Sequence, residues 1–411
     1  MVNKAYQNLN THERSGIMQY EFSNKTKKLK SSAIREILKY VNDPNIISFS
    51  AGSPSPDTFP VEKISNIVNE IFKEEPTCAL QYNITEGYIP LRNTLKKYLE
   101  DKYPLTKEYD ELIITSGAQQ VIDISSKILC NEGDTIICES PSFIGALNTF
   151  RSYNVNICGI PMQSDGIDLE KLEKALKTHI NVKFIYTIPN FQNPSGITMS
   201  YSKRKILYEL AREHNVLILE DNPYGDLRYA GKDIPSIKSL DKDGIVIYAE
   251  TFSKILSPGL RVGYAIAPKK LIQKMIVCKQ VQDVHSNILA QMIVYRFIKK
   301  YNLDNHIKEI NNLYKKKLKL TINLLDKYTK GHIKYNKPHG GLFIWCTLPE
   351  SIDMIEYCKQ AALKKVCIVP GNIFLTNERE ISHSFRMNFS TSTDKDISTG
   401  IQILSSLINK F

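Results

Sequence analysis

The sequence predicts an α/β protein: a mostly parallel sheet covered by helices, followed by a smaller α+β domain. Three observations carry the prediction. Short β-branched runs alternate with helical stretches from about residue 110 to 270. A long helical stretch then runs from about 268 to 330. Beyond it the alternation changes character, with brief strands set between two helices. The 411 residues are enough for a large core and more than one domain.

Taken in order, residues 1–30 are polar without a clean period and read as a mobile arm. Ile34, Ile37, Leu38 and Val41 have helical spacing within Ser31 to Asn42, and Pro44 stops that helix. Segment 31–47 is expected to pack on the smaller domain. Ile46-Ile47-Ser48-Phe49-Ser50 reads as a short strand entering the turn-rich loop Ala51-Gly52-Ser53-Pro54-Ser55-Pro56. A large domain is expected over 48–290. Its strand candidates are Leu112 to Thr115, Thr135 to Cys138, Asn154 to Ile157, Val182 to Tyr186, Val216 to Leu219 and Ile245 to Tyr248. Helical stretches such as Ser202 to His214 separate most of them, which favours parallel pairing. Ligands of such sheets bind beyond the carboxyl ends of the strands. A small domain is expected over 291–411, containing Gly340 to Trp345, a helix near 351–364, Val366 to Val369, Phe385 to Phe389 and a final helix to Phe411. No internal repeat or low-complexity segment interrupts the pattern.

Composition narrows the function. A hydrophobic content of 42% with mean hydropathy −0.26 fits a soluble globular chain and argues against disorder. No apolar run is long enough to span a bilayer and no signal peptide opens the chain, so a cytoplasmic protein without membrane partners is expected. The eight cysteines form no Cys-x-x-Cys pair and several lie in apolar contexts, which reads as free buried thiols with no metal site. Net charge is +11 with pI near 9.0, a balance that can attract nucleic acid. The lysines are dispersed, however. The cluster Lys315-Lys316-Lys317-Leu318-Lys319 has helical spacing with Leu313, Leu320 and Ile322, so it reads as a solvated helix face. No nucleic-acid partner is expected.

The segment Glu250-Thr251-Phe252-Ser253-Lys254-Ile255-Leu256-Ser257-Pro258-Gly259-Leu260-Arg261 sets a lysine in a small hydroxyl-rich loop with an arginine close behind. A lysine there can form an imine with an aldehyde, and Thr251, Ser253 and Arg261 can hold a phosphate. Pyridoxal 5′-phosphate (PLP) carries both groups on one ring. Its ring nitrogen needs a carboxylate to stay protonated. Asp221 ends the run Val216 to Glu220 and is the candidate; as a lone residue it reads more readily as an Asx-turn, and the accompanying motifs favour the functional role. Glu220 points to the opposite face by strand alternation. Tyr224 follows at a spacing that reaches the ring's phenolic oxygen, and Asn193, in Pro189-Asn190-Phe191-Gln192-Asn193-Pro194-Ser195-Gly196, can donate to the same oxygen. Thr115-Ser116-Gly117-Ala118-Gln119-Gln120 joins a strand to a helical pattern, where backbone N–H groups attract phosphate, so Gly117, Ala118 and Gln119 join the cradle. Phe143 is the aromatic that lies against the ring. Arg386, flanked by apolar residues in Ser384 to Ser390, can grip a carboxylate through two parallel hydrogen bonds.

In order along the chain, Leu80-Gln81-Tyr82, Thr115-Ser116-Gly117, Asn193-Pro194, Glu220-Asp221-x-Pro223-Tyr224, Ser253-Lys254-Ile255 and Pro370-Gly371-Asn372-x-Phe374 resemble the fold-type I, class I/II aminotransferases. The likeness is nearest to the kynurenine/2-aminoadipate branch and covers nearly the whole chain. It implies a large domain with a seven-stranded sheet and a homodimer with shared active sites. It implies an enzyme that moves an amino group from an aromatic, 2-aminoadipate or branched-chain L-amino acid to a 2-oxo acid, 2-oxoglutarate, by ping-pong kinetics. Lys254 is then the imine-forming lysine and proton carrier, and Arg386 holds the substrate α-carboxylate. Tyr82 resembles the tyrosine that reaches the neighbouring subunit's phosphate. Arg35 resembles an arginine that shapes the substrate pocket, and reads equally as a helix-surface residue. Relatives commonly have tyrosine at Phe143, whose hydroxyl contact is lost here. The alternatives are a PLP-dependent lyase of the same fold, and an aminotransferase-like transcription regulator without its DNA-binding domain; the latter is disfavoured because only about thirty polar residues precede the first helix.

Overall fold

β-Branched apolar runs form the interior of the larger sheet in a computed structural model that describes residues 20–27, 46–377 and 379–408. The predicted helix from Ser31, with Arg35, lies outside the described residues. The sheet strands are β2 (Asp110–Thr115), β3 (Thr135–Ser140), β4 (Asn156–Gln163), β5 (Gly166–Ile167), β6 (Val182–Thr187), β7 (Leu217–Asp221), β8 (Val246–Thr251) and β9 (Gly263–Pro268). Their spatial order is β2-β9-β8-β7-β6-β3-β4-β5. The five strands from β4 to β8 in that order are parallel, while β9 runs antiparallel to both β2 and β8. Eight strands stand where the family resemblance implies seven, because the two-residue β5 folds back antiparallel on the edge strand β4. The strand candidates read from the sequence did not include β9, whose run Gly263-Tyr264-Ala265-Ile266-Ala267 carries only one β-branched residue.

A second sheet has the order β10-β11-β14-β13, from Lys334–Tyr335, Phe343–Thr347, Ser384–Asn388 and Val369–Pro370. β1 (Ile47–Ser48) is shorter than its apolar run and pairs in parallel with β12 (Val366–Cys367). The long helical stretch resolves into Lys269–Gln282, Ile288–Lys300 and Leu303–Thr329. Two asparagine caps break it: Asn287 Oδ1 accepts from Ala290 N at 2.8 Å and Asn302 Oδ1 accepts from Asn305 N at 2.9 Å.

Lys315, Lys316 and Lys319 are exposed, but Lys317 is buried and donates to Ser392 O at 2.7 Å. The cluster is therefore not wholly a solvated face. Three cysteines (Cys138, Cys346 and Cys367) are buried and the other five are half-buried; all eight are free. Among the described residues no helix is long and apolar enough to cross a membrane, and no group of His, Cys, Asp or Glu is placed to hold a metal ion.

Candidate active site

The parallel strands β6, β7 and β8 end side by side, and their following loops build one cleft. Asp221 closes β7 and is 2% exposed. Its Oδ2 accepts from the Tyr186 hydroxyl at 2.8 Å, while Oδ1 has no partner among the described residues. Burial pushes its carboxyl up to about 7, against the opposing pull of the Tyr186 hydrogen bond and of Lys254. Glu220, one residue earlier, faces the other side of the sheet. There it accepts from Ile237 N at 2.9 Å and Lys238 N at 2.7 Å.

Lys254 lies in the turn after β8, and its Nζ donates to Gly52 O at 2.8 Å. It sits 6.0 Å from the centre of the Tyr224 ring. Burial, then the nearby guanidinium groups of Arg386 and Arg261, push its ammonium down to about 8, with Asp221 opposing. With that value about half of the molecules carry the neutral amine at about pH 8, and roughly a tenth at about pH 7.

Arg386 comes from β14 in the smaller sheet and is 4% exposed. Nη1 donates to Asn193 Oδ1 at 2.9 Å and Nη2 to Ser50 O at 2.7 Å. The guanidinium stacks on Phe343 at 4.3 Å and on Phe374 at 5.0 Å, and its Nε has no partner among the described residues. Burial pushes it down to about 10. The other end of the Asn193 amide donates to the Tyr224 hydroxyl at 3.4 Å. Asn193 thus bridges the arginine and the phenol.

Around Arg261 the backbone approaches closely. Gly117, with φ 82°, precedes the helix Ala118–Leu129; a Cβ there would sit 2.5 Å from Arg261 Nη2. Arg261 Nη2 donates to Ser116 O at 2.9 Å and Nη1 to Ser253 Oγ at 3.3 Å. Thr251 Oγ1 donates to Ser253 Oγ at 2.9 Å. The Ala118 and Gln119 N–H groups stand in the first turn, where no intrahelical carbonyl reaches them. The Gln119 side chain turns away, donating to Thr149 Oγ1 at 2.8 Å. Phe143 lies on the cleft wall, its ring so close over Gly145 that a Cβ there would meet it at 2.5 Å. The cleft measures about 380 Å³.

One chain does not bring every sequence-selected residue together. Tyr82 is 79% exposed, outside the cleft, with its ring edge-on to His285 at 5.8 Å. Arg35 lies outside the described residues. Sequence reading missed Tyr186, Phe343 and the carbonyls of Ser50 and Gly52, and it quoted Phe374 only within a motif, with no role in the site. Tyr186 and Phe343 sit inside or at the start of strands where an aromatic is ordinary core, so no local signal separates them.

This constellation can be set against known proteins. The family model for aminotransferase class I and II matches residues 44–404. The chain belongs to the class I and II aminotransferases. An aromatic-amino-acid aminotransferase of Thermococcus litoralis is 38% identical over 95% of this aminotransferase and 94% of its own length. The Pyrococcus horikoshii kynurenine aminotransferase, solved with PMP, KYN as substrate and KYA as product, is 39% identical with TM-score 0.91; the match covers 95% of this chain and 97% of that one. An α-aminoadipate aminotransferase of Thermus thermophilus, complexed with N-(5′-phosphopyridoxyl)-L-leucine, is 31% identical with TM-score 0.87, covering 95% and 97%. The aminotransferase is a PLP enzyme of fold type I. Its own residues fit that cofactor. Among the described residues Asp221 Oδ1 lacks a donor and Lys254 has no carboxylate partner, and Gly117 lets Arg261 approach the start of the helix.

Proposed function

We propose that this aminotransferase moves the amino group of an aromatic, branched-chain or 2-aminoadipate L-amino acid to 2-oxoglutarate by ping-pong kinetics. The observation that carries the reading is the seating of Arg386: buried, stacked between two aromatic rings, and joined through Asn193 to Tyr224 beside Lys254. Arg386 grips the α-carboxylate of either substrate, which sets the α-carbon near Lys254. Lys254 Nζ, its ammonium destabilised by burial, takes the α-proton in its neutral form and later returns it. Asp221 offers Oδ1 to the ring nitrogen, and Asn193 and Tyr224 hold the phenolic oxygen. Thr251, Ser253, Arg261 and the Gly117–Gln119 backbone hold the phosphate. When bound, PLP supplies the electron sink for the pair left on the α-carbon.

The cleft wall supports the donor class. Phe143, Ile144 and Ile188 are apolar, and among the described lining residues the cations are Lys254, Arg261 and Arg386. A side-chain carboxylate of 2-aminoadipate therefore calls for a further cation, the role we assign to Arg35. Exposed Leu80, Tyr82, Ile84, Val277 and Val281 support a second copy of the chain as partner, with Tyr82 completing the neighbour's phosphate site. The eight free thiols support a reducing, cytoplasmic setting.

The test is a panel of aromatic, branched-chain and 2-aminoadipate donors with 2-oxoglutarate, read by initial rates. Parallel double-reciprocal lines are expected. Intersecting lines, or pyruvate and ammonia released from β-substituted donors without an acceptor, would overturn the reading.

A further inference from the structure

We propose that Tyr186 is a positioning residue of this site: its hydroxyl occupies Asp221 Oδ2 and thereby reserves Oδ1 for the cofactor's ring nitrogen. The inference rests on the reading of Asp221 as that nitrogen's partner. Tyr186 is the penultimate residue of β6 and pairs with Leu219 of the parallel β7. Asp221 lies two residues further along β7, so both side chains share one face of the sheet. The hydroxyl spans that offset and donates at 2.8 Å. Tyr186 is 0% exposed, and Phe150 packs edge-on against its ring at 5.5 Å, which holds the hydroxyl in place.

The nearby buried carboxylate of Glu139, on β3, does not compete for this donor. It is served by the Thr187 hydroxyl, by Ile188 N at 3.2 Å and by Gln192 Nε2 at 3.1 Å. The Tyr186 proton therefore goes to Asp221 alone. Its effect has a fixed sign. A hydrogen bond to a carboxylate favours the charged form and lowers its basicity. The proton shared between Asp221 and the ring nitrogen then stays on the ring, which keeps the ring a better electron acceptor. Removing the hydroxyl shifts that proton toward the carboxylate and frees the carboxylate to rotate.

The experiment compares Tyr186→Phe, Asp221→Asn and the double variant, loaded with PLP labelled with nitrogen-15 in the ring. Three quantities are read: the cofactor dissociation constant, the ring-nitrogen chemical shift, and kcat against KM. Tyr186→Phe should weaken PLP binding, by up to about 10-fold, because a carboxylate free to rotate and more often protonated must be ordered and ionised to meet the ring nitrogen. It should move the resonance toward unprotonated pyridine and lower kcat, with KM for the donor nearly constant. In the Asp221→Asn background the same change should add nothing. Equal losses in both backgrounds would make Tyr186 a packing residue and overturn the inference. So would an unchanged resonance in Tyr186→Phe while Asp221→Asn shifts it. An unchanged resonance in Asp221→Asn would remove the parent reading and this one with it. Should Tyr186→Phe not fold, 3-fluorotyrosine at position 186 keeps the shape and strengthens the donor. It should move the resonance the other way, and no movement would overturn the inference.

Discussion

Two lysines flank the two ends of strand β8, and both are buried. Lys238 stands at the amino end, where its Nζ lies 2.9 Å from Asp110 Oδ1, 2.9 Å from Asp241 Oδ2 and 3.1 Å from Val246 O. Lys254 follows the carboxyl end, where its bonded partner is a backbone carbonyl and its charged neighbours include two arginines. The same side chain is thus satisfied at one end and left wanting at the other. The amino edge of a parallel sheet is free to close its polar groups for stability. At the carboxyl edge the strand ends splay into loops that leave room for a ligand, and unpaired groups persist there because a ligand completes them.

The contrast can be broken most sharply at Lys254. Lys254→Ala removes the proposed anchor and proton carrier, so turnover should fall by about 10⁴-fold or more, while the melting temperature of the apoprotein should not drop. Single-turnover absorbance and calorimetry on the same sample check the pair of outcomes.

Lys238→Met should do the reverse. It strands Asp110 and Asp241 in the interior without their cation, at a cost of about 3–5 kcal/mol. Urea unfolding should reveal the loss, with kcat per folded molecule essentially unchanged. A stable variant with lost turnover would show that the two ends of the strand are not separate in role.

The third test concerns pH. The Lys254 ammonium is held at about 8 in the folded apoprotein against an ordinary value of 10.5. Between those values the unfolded chain binds more protons, so stability rises with pH across that window. Below about pH 8 the penalty is fully present, on the order of 3 kcal/mol. Lys254→Met should therefore stabilise the apoprotein at pH 7 by up to that amount and flatten the rise between pH 8 and 10.5. An apoprotein no more stable than wild type would mean the amine is better solvated than the cleft suggests.

Arg386→Lys keeps the charge and loses the planar fork. KM for amino acids should rise about 10- to 50-fold with a smaller change in kcat, as expected when a carboxylate grip made throughout the reaction is weakened. The smallest effect is expected from Phe143→Tyr, which keeps the stacking surface and changes cofactor affinity by about 3-fold or less. A large change there would mean that the wall, and not the arginine, sets substrate position.

Much of this site can be read in the chain because its elements are local. A lysine three residues after a threonine and one after a serine, a glycine opening a helix, and an aspartate at a strand end are short patterns with chemical meaning. The alternation of β-branched runs likewise gives the sheet, apart from the two-residue β5 and from β9, whose alanines and glycine lack the strand signature. Tyr82 carries a motif, yet no single chain places it in the cleft.

Other features exist only once strands are ordered in space. Tyr186 meets Asp221 across 35 residues, Arg386 meets Asn193 across 193, and Lys238 meets Asp110 across 128. The sequence by itself settles backbone period, turn positions and which residue types stand at strand ends, because these follow from neighbours in the chain. The loop pattern singles out Lys254, but that Lys238 is paired with Asp110 and Asp241 while Lys254 meets a backbone carbonyl is decided by tertiary structure. Charge, burial and hydrogen bonding act through space, and the residues that supply them are distant in sequence.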